Sequence, residues 1–309
     1  MTGDGYEKLG SEKSDYEDGG KKGKSKNNAW KKVKYQLVDY HTLPGYMKDN
    51  EYIHRYYRAE WPITQLLLSV FRIHNETLNI WTKNLQQGGK EEEAMSNMLL
   101  GPLLSSQTPI TRWPFYVFMG GAMFCLLSSS ICHLLSCHSQ RMSYIVHRVD
   151  YTGIALLIAT SFYPPVYYSF MCNPFFCNLY LGTITVMGIA TMIFSLLPTF
   201  QRPEFRSFRA SLFFGMGVSA VVPILHKLLL YGTDHPEALQ TTIYEVLMGV
   251  LYGLGALIYA TRVPERWKPG CFDLAGQSHQ LFHVLVVAAA FTHYQAGLVY
   301  LNWRDLNGC

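Results

Sequence analysis

Ser129, His133, Asp150, His279 and His283 stand near the ends of long apolar stretches of this 309-residue chain. An ionisable side chain at membrane depth is costly, so such residues mark a site by default. The types suit a zinc ion: neutral imidazoles with a carboxylate beside them. His279 and His283 are i,i+4, which places them on one helix face ~6 Å apart along the axis. That is the spacing by which one helix gives two ligands to one ion, as in HExxH. His133 supplies a third nitrogen, and three protein ligands plus water form the pattern of a catalytic site with an open position. A water on such an ion ionises near neutral pH and can attack a carbonyl. Asp150 can hold that water, take its proton or coordinate directly. Ser129 is i−4 from His133 and can hydrogen-bond a ligand or a polarised carbonyl.

Each residue also has a structural reading. An HxxxH pair in an apolar helix is often only packed. Asp150 can pair with Arg148 or cap a helix N-terminus, where a carboxylate is favoured. Ser129 lies in a run of three serines and can bond back to its own helix. Cys137 is i+4 from His133 and is a minor candidate ligand. His293 sits ~15 Å beyond His283 on another face and reads as a packed or hydrogen-bonded core histidine. His226 falls near the far ends of the helices, and His138 and His147 read as solvated loop residues. What converts the pair into a site is that His133 and Asp150 fall at the same membrane face.

That face follows from the elements. Residues 1–113 hold 16 of the 26 Lys+Arg and 14 of the 22 Asp+Glu, so the remainder has a membrane composition. The fold class expected is all-α, a polytopic membrane helix bundle. Six segments of about 20 residues can span: 114–135, 150–171, 178–198, 209–230, 242–261 and 279–301. The domains expected are a disordered tail (1–34), a juxtamembrane region (35–113), the bundle (114–301) and a C-terminal tail (302–309). Residues 61–82 read as an interfacial amphipathic helix, because Arg72, His74, Asn75 and Glu76 interrupt it; Trp61 and Trp81 would anchor it at headgroup level. The first twenty residues have no apolar h-region, so no cleavable leader is expected. The modest net charge of +4 resides in a tail and short loops and excludes nucleic acid as a partner. The seven cysteines suggest no disulfide framework, although Cys172 and Cys177 can pair if their loop faces an oxidising compartment.

Loops 136–149, 199–208 and 262–278 carry Arg141, Arg148, Arg202, Arg206, Arg262, Arg266 and Lys268, whereas 172–177 and 231–241 carry no Lys or Arg. The positive-inside rule makes the first set cytoplasmic and the C-terminus external. His133, Asp150, His279 and His283 then fall within about two turns of the cytoplasmic face. Six spans, however, put the Lys-rich N-terminal region outside too, against the same rule. A seventh span between 82 and 114 would remove the conflict, but the residues there are not apolar enough.

The runs FRIHNETLNIWT, SSSICHLLSCHS, RVDYTGIALL, RVPERWKPGCFD and QSHQLFHVLVVAAAFTHY resemble the progestin and adipoQ receptor family, particularly its adiponectin receptors and plant heptahelical proteins. The resemblance covers roughly 35–82 and 112–309. It implies seven helices, a cytoplasmic N-terminus and an orientation opposite to that of G-protein-coupled receptors. It also implies that His133, His279 and His283 are the zinc ligands, that Asp150 contacts zinc through water, and that Ser129 belongs with His133 to a serine-x-x-x-histidine motif. The implied activities are hormone or stress sensing and a ceramidase-like lipid amide hydrolysis. One departure is large: the family's first transmembrane helix should follow NIWT, but KNLQQGGKEEEAMSNM follows instead. The chain looks like a member lacking that helix.

Two functions compete. One is a receptor with an intramembrane zinc site, taking a small hormone-like ligand and a protein partner at its cytoplasmic N-terminal region. The other is a zinc-dependent amidohydrolase acting on a ceramide-like membrane lipid, with Asp150 as base. An ion or proton exchanger is weaker, because the titratable groups cluster at one face. Plasma membrane and endomembrane are both open.

Overall fold

The computed structural model describes residues 35–84, 110–198, 205–232 and 234–309. The expected disordered tail (1–34) and the polar stretch 85–109 lie outside these residues. The described chain is helical and contains no β-strand, only an isolated bridge between Val38 and Tyr57. The helices are α1 (Ile63–Ser69), α2 (Thr77–Asn84), α3 (Trp113–Leu135), α4 (Gln140–Ser161), α5 (Tyr163–Phe170), α6 (Pro174–Leu196), α7 (Arg206–Val218), α8 (Val221–Tyr231), α9 (Pro236–Thr261) and α10 (Ser278–Asn307).

The sequence punctuates them in recognisable ways. α3, α6 and α9 carry a proline in their first turn, where the missing N–H would have no partner anyway. α4 begins at Ser139, whose hydroxyl accepts the Met142 N–H at 3.3 Å. Pro164 and Pro165 donate no hydrogen bond back into α4, so the chain breaks at Phe162 and restarts as α5.

Five stretches are long and apolar enough to cross a membrane: Trp113–Leu135, Pro174–Leu196, Phe208–Tyr231, Pro236–Thr261 and Ser278–Asn307. Each overlaps an expected span over most of its length. The sixth, 150–171, differs in form: its helix starts ten residues earlier, at Gln140, and is divided at Phe162. The polar turns QRMSYIVHRVD are helical because Ser139 caps them, and hydrophobicity gave no sign of that. The span 209–230 is also divided, between Val218 and Val221. α10 continues through most of the expected C-terminal tail.

Three further expectations change. Residues 61–82 form two helices. α1 leaves Ile63, Leu67 and Leu68 exposed, as an interfacial helix should, but α2 turns to pack against α3 and α10. Trp61 is no headgroup anchor; it is buried with Leu66 and Cys137. Cys172 pairs with Cys309 rather than Cys177, which is a buried free thiol.

Small residues set the helix spacing, as membrane packing requires. A Cβ on Gly153 would lie 2.5 Å from Ser128 Oγ, and one on Gly297 would lie 2.2 Å from a Phe115 ring carbon. These contacts draw α4 and α10 against α3. The opposite ends of the bundle are also distinct. Glu76, just before α2, bonds His133 near the C-terminal end of α3. Ile110 and Arg112, just before α3, bond Asp305 near the end of α10. The described residues flanking 85–109 therefore lie at opposite ends of α3, ~35 Å apart along its 23 residues. Residues 35–84 thus join the basic loops, which is the placement the loop charges demand and six-span parity denied.

Candidate metal centre

His133 lies two residues before the end of α3, and His279 and His283 in the first two turns of α10. The three imidazoles converge: each offers a nitrogen, and these atoms all lie within 4.8 Å of one another. Ring centroids are 4.9 Å apart for His133–His279, 5.0 Å for His133–His283 and 4.5 Å for His279–His283. His133 Nε2 and His279 Nε2 are 3.2 Å apart. Two ligands on a tetrahedral ion with metal–nitrogen bonds of about 2.05 Å would be separated by about 3.3 Å. The donor set therefore fits a divalent metal, and three nitrogens leave a fourth position open.

The supporting shell is more extensive than the sequence suggested. The Glu76 carboxylate accepts from His133 Nδ1 at 2.8 Å. That bond puts the proton on Nδ1 and turns the Nε2 lone pair toward the cluster, the usual role of a carboxylate behind a metal-binding histidine. Asn79 donates to the same carboxylate at 2.6 Å. The buried Arg58 donates to the His133 carbonyl at 2.8 Å and to Ser69 Oγ at 2.7 Å. A cation there satisfies a carbonyl that the helix end would otherwise orphan. His74 accepts the Glu76 N–H on Nδ1 at 3.1 Å and meets the Ser69 carbonyl through Nε2 at 3.2 Å. Burial first, and Arg58 second, depress its pKa to about 4, so it is neutral in this setting.

A second set holds the start of α10. The fully buried Glu265 accepts the Ser278 N–H at 2.7 Å, the Ser278 hydroxyl, and an Asn50 side-chain N–H at 3.1 Å. Gln277 donates to the Asn75 carbonyl at 3.0 Å. Three stretches remote in sequence thereby fix the imidazoles: 50–79, α3 and 265–283.

Of the sequence candidates, His133, His279 and His283 come together. Ser129 is buried one turn before His133. Asp150 lies in the third turn of α4, half-buried and outside the tight cluster. It is no N-cap, because the helix begins ten residues earlier, and it forms no ion pair among the described residues. Cys137 is buried but not in the cluster. His138 and His147 are not solvated loop residues: His138 bonds the Trp61 carbonyl at 2.9 Å, and His147 lies within α4, bonded to Ser143 O at 2.7 Å. Arg58, Glu76 and Glu265 were missed. For Glu76 the signal was present, an acid inside the run FRIHNETLNIWT, but it served only to argue against a span.

A bundle of apolar helices with three imidazoles gathered at one end defines a polytopic membrane protein with a candidate metal centre. Residues 71–294 match the haemolysin-III related family, and the chain belongs to that family. It is 55% identical to heptahelical transmembrane protein 4 of Arabidopsis thaliana, over 91% of this chain and 92% of that protein. It is 50% identical to heptahelical transmembrane protein ADIPOR3 of Oryza sativa subsp. japonica (89% and 93%), and 41% identical to the adiponectin receptor protein of Drosophila melanogaster (84% and 58%). The match to the Arabidopsis protein runs over 358 positions, more than this chain possesses, so that relative carries internal residues with no counterpart here.

Proposed function

We propose that this chain is a receptor-type membrane protein in which Zn2+, held by His133, His279 and His283, fastens the juxtamembrane segment to the helix bundle, and that it acts in hormone or stress signalling. The observation that carries the reading is the double tie of residues 50–79 to the ligands. Glu76 bonds His133, and Asn50 bonds the Glu265 that holds the start of α10. A ligand that shifts α10 against α3 would therefore move the surface before α1, where a protein partner would sense it. The ligand class is a small hormone-like molecule or a membrane lipid. The name of the Drosophila relative agrees with this reading.

The second reading is a zinc amidohydrolase acting on a ceramide-like lipid, favoured by the open fourth position of a three-nitrogen set. A zinc ion there supplies Lewis acidity. Asp150 would accept the proton of the attacking water, and Ser129 would hydrogen-bond the lipid carbonyl.

Metal analysis of purified protein, wild type against His283→Ala, tests the site. About one ion per chain is expected, falling sharply in the variant; equal content in both refutes the assignment. Incubation of the metal-loaded protein with ceramides separates the readings. Fatty acid release that is lost in Asp150→Asn selects the hydrolase. No product, with His279→Ala lowering folded yield and signalling together, selects the receptor.

A further inference from the structure

The other half of the bundle contains a second polar cluster, independent of the three imidazoles. Lys227 of α8 and Glu245 of α9 are both buried and paired at 2.7 Å. Lys227 also donates to Thr241 Oγ1 at 3.1 Å and Tyr300 OH at 2.7 Å, and Tyr300 donates to Glu245 at 2.6 Å. An ion pair inside a membrane bundle is costly and persists only when its hydrogen bonds are complete; here the ammonium's three donors are all used.

Beside the cluster is a cavity of about 30 Å³. Its wall includes both places where the helices are divided. Ser161, Phe162 and Pro165 come from the α4–α5 break, and Ala220 and Pro223 from the α7–α8 break. Divided helices are tolerated at membrane depth where the broken backbone is buried in protein or lines a cavity; most of this wall is apolar, and its polar side chains are those of Ser161, Ser169, Lys227, Glu245, Tyr300 and His293. His293 completes the wall. It is 2% exposed, and neither ring nitrogen has a hydrogen-bond partner. The Ser161 main chain approaches the ring without reaching hydrogen-bond geometry. On its other side His293 meets the Phe118 ring, with centroids 4.5 Å apart.

Size and charge restrict the occupant. The cavity is far below the ~300 Å³ of an ordinary small-molecule site, and one water needs roughly 10–15 Å³ on this scale. Lys227 and Glu245 already cancel each other, so no ion is called for. What remains is a neutral molecule that both donates and accepts hydrogen bonds and satisfies an imidazole with two open nitrogens. We propose that this cavity is a hydrated proton-exchange site, in which one or two waters join His293 to the Lys227–Glu245–Tyr300 cluster. In the exchange step a water gives a proton to the bare ring nitrogen while the other nitrogen gives its proton to water, and the excess proton passes back along the waters to the one that donated. The imidazole ends neutral in its other tautomer and every water ends as H2O.

The groups around His293 suit this role. α8 contributes Lys227, α9 Glu245 and α10 Tyr300; α4 contributes Ser161, α5 Ser169, and α3 the Phe118 ring. On the disulfide side the cluster is anchored by the Ser169 hydroxyl, which donates to Tyr300 OH, and by the Ser169 carbonyl, which accepts from Tyr231 OH beside Arg304. Toward the metal centre His293 faces the Phe118 ring, an apolar contact.

The test is water-to-protein magnetisation transfer in 15N-histidine-labelled protein in nanodiscs. The His293 resonance is assigned as the one lost in His293→Gln. Transfer from water to His293 is expected in wild type. Ala220→Val adds two methyl groups to the wall and should abolish the transfer with metal content unchanged. Should Ala220→Val not retain metal, Ser161→Ala is read instead; it removes a hydroxyl without adding volume and should weaken the transfer. A His293 resonance without water transfer in wild type overturns the proposal, as does transfer unaffected by the variant that keeps its metal.

Discussion

Replacing Glu76 tests whether the carboxylate behind His133 belongs to the metal centre. The side chain accepts from His133 Nδ1 at 2.8 Å and is gripped by Asn79 at 2.6 Å. The bond fixes the tautomer that exposes Nε2, and it places a negative charge behind a ligand, which raises that ligand's basicity. Loss of such a partner typically costs 10- to 100-fold in metal affinity, or about 1.4–2.7 kcal/mol. Glu76→Gln retains an acceptor for Nδ1 and loses only the charge, so it should fall near the lower figure. Glu76→Ala loses both, leaves Asn79 without its acceptor and should fall near the upper. The assay is competition for Zn2+ against a chromogenic chelator, with helicity measured alongside. The ordering wild type, Gln, Ala is the signature. An alanine variant that is folded and binds metal as tightly as wild type would show that the Glu76–His133 bond is only structural and that the site was built from the wrong neighbours.

Four further outcomes are expected. His133→Ala, His279→Ala and His283→Ala should each lose most bound metal by atomic absorption, whereas His226→Ala, whose ring bonds Tyr180, should lose none. Asp150→Asn should keep its metal and its fold, because the side chain holds no ion pair among the described residues; if a lipid amide is hydrolysed, turnover should collapse, and unfolding of this variant would contradict both statements. Stability should fall on acidification through His74. Its folded pKa, about 4, lies below the ordinary 6.5, so the unfolded chain takes up the proton first. The contribution is intact above pH 6.5 and is lost progressively toward pH 4, by about 3 kcal/mol in all; a thermal midpoint that falls no faster in wild type than in His74→Asn over that window refutes it. Finally, glycosylation tags at residue 20 and at the C-terminus should report opposite sides of the membrane, and a single topology with both ends outside would refute the placement of residues 35–84 beside the basic loops.

What the sequence disclosed depended on whether the signal was local. The HxxxH pair, the apolar runs and the alternation of basic and uncharged loops are local patterns, and they led to the three imidazoles at one face. Asp150 shows the limit. Its distance from the helix start depends on where Ser139 caps α4, and polar turns ahead of a span carry no hydropathic mark. Glu76 was visible as an acid in an apolar setting, but its role, like those of Arg58 and Glu265, was not: that role is a partner 57, 75 or 13 residues away. Cys172 pairs with Cys309 across 137 residues, a partner that nothing in its local sequence indicates. Lys227 and Glu245 were legible as ionisable residues in apolar segments and deserved the same default reading as the histidines.

Helices in lipid gain little by burying apolar faces against one another, since the acyl chains are equally apolar; close packing at small residues and polar bonds must specify the arrangement instead. This bundle has such bonds at two levels. At the basic-loop end Arg58, Glu76 and Glu265 tie the juxtamembrane segment to α3 and α10. Toward the disulfide end Lys227, Glu245, Tyr300 and Arg304 tie α8, α9 and α10 to the carbonyls of Tyr168 and Ser169. Between them His293 rests on Phe118, an apolar contact. α10 takes part in both levels, so a displacement of its first turns is opposed at the far end by a separate set of bonds. Sliding α10 along its axis would therefore break bonds at both levels. The imidazole cluster and the juxtamembrane segment bonded to it are thus joined to the far end of the bundle through one continuous helix.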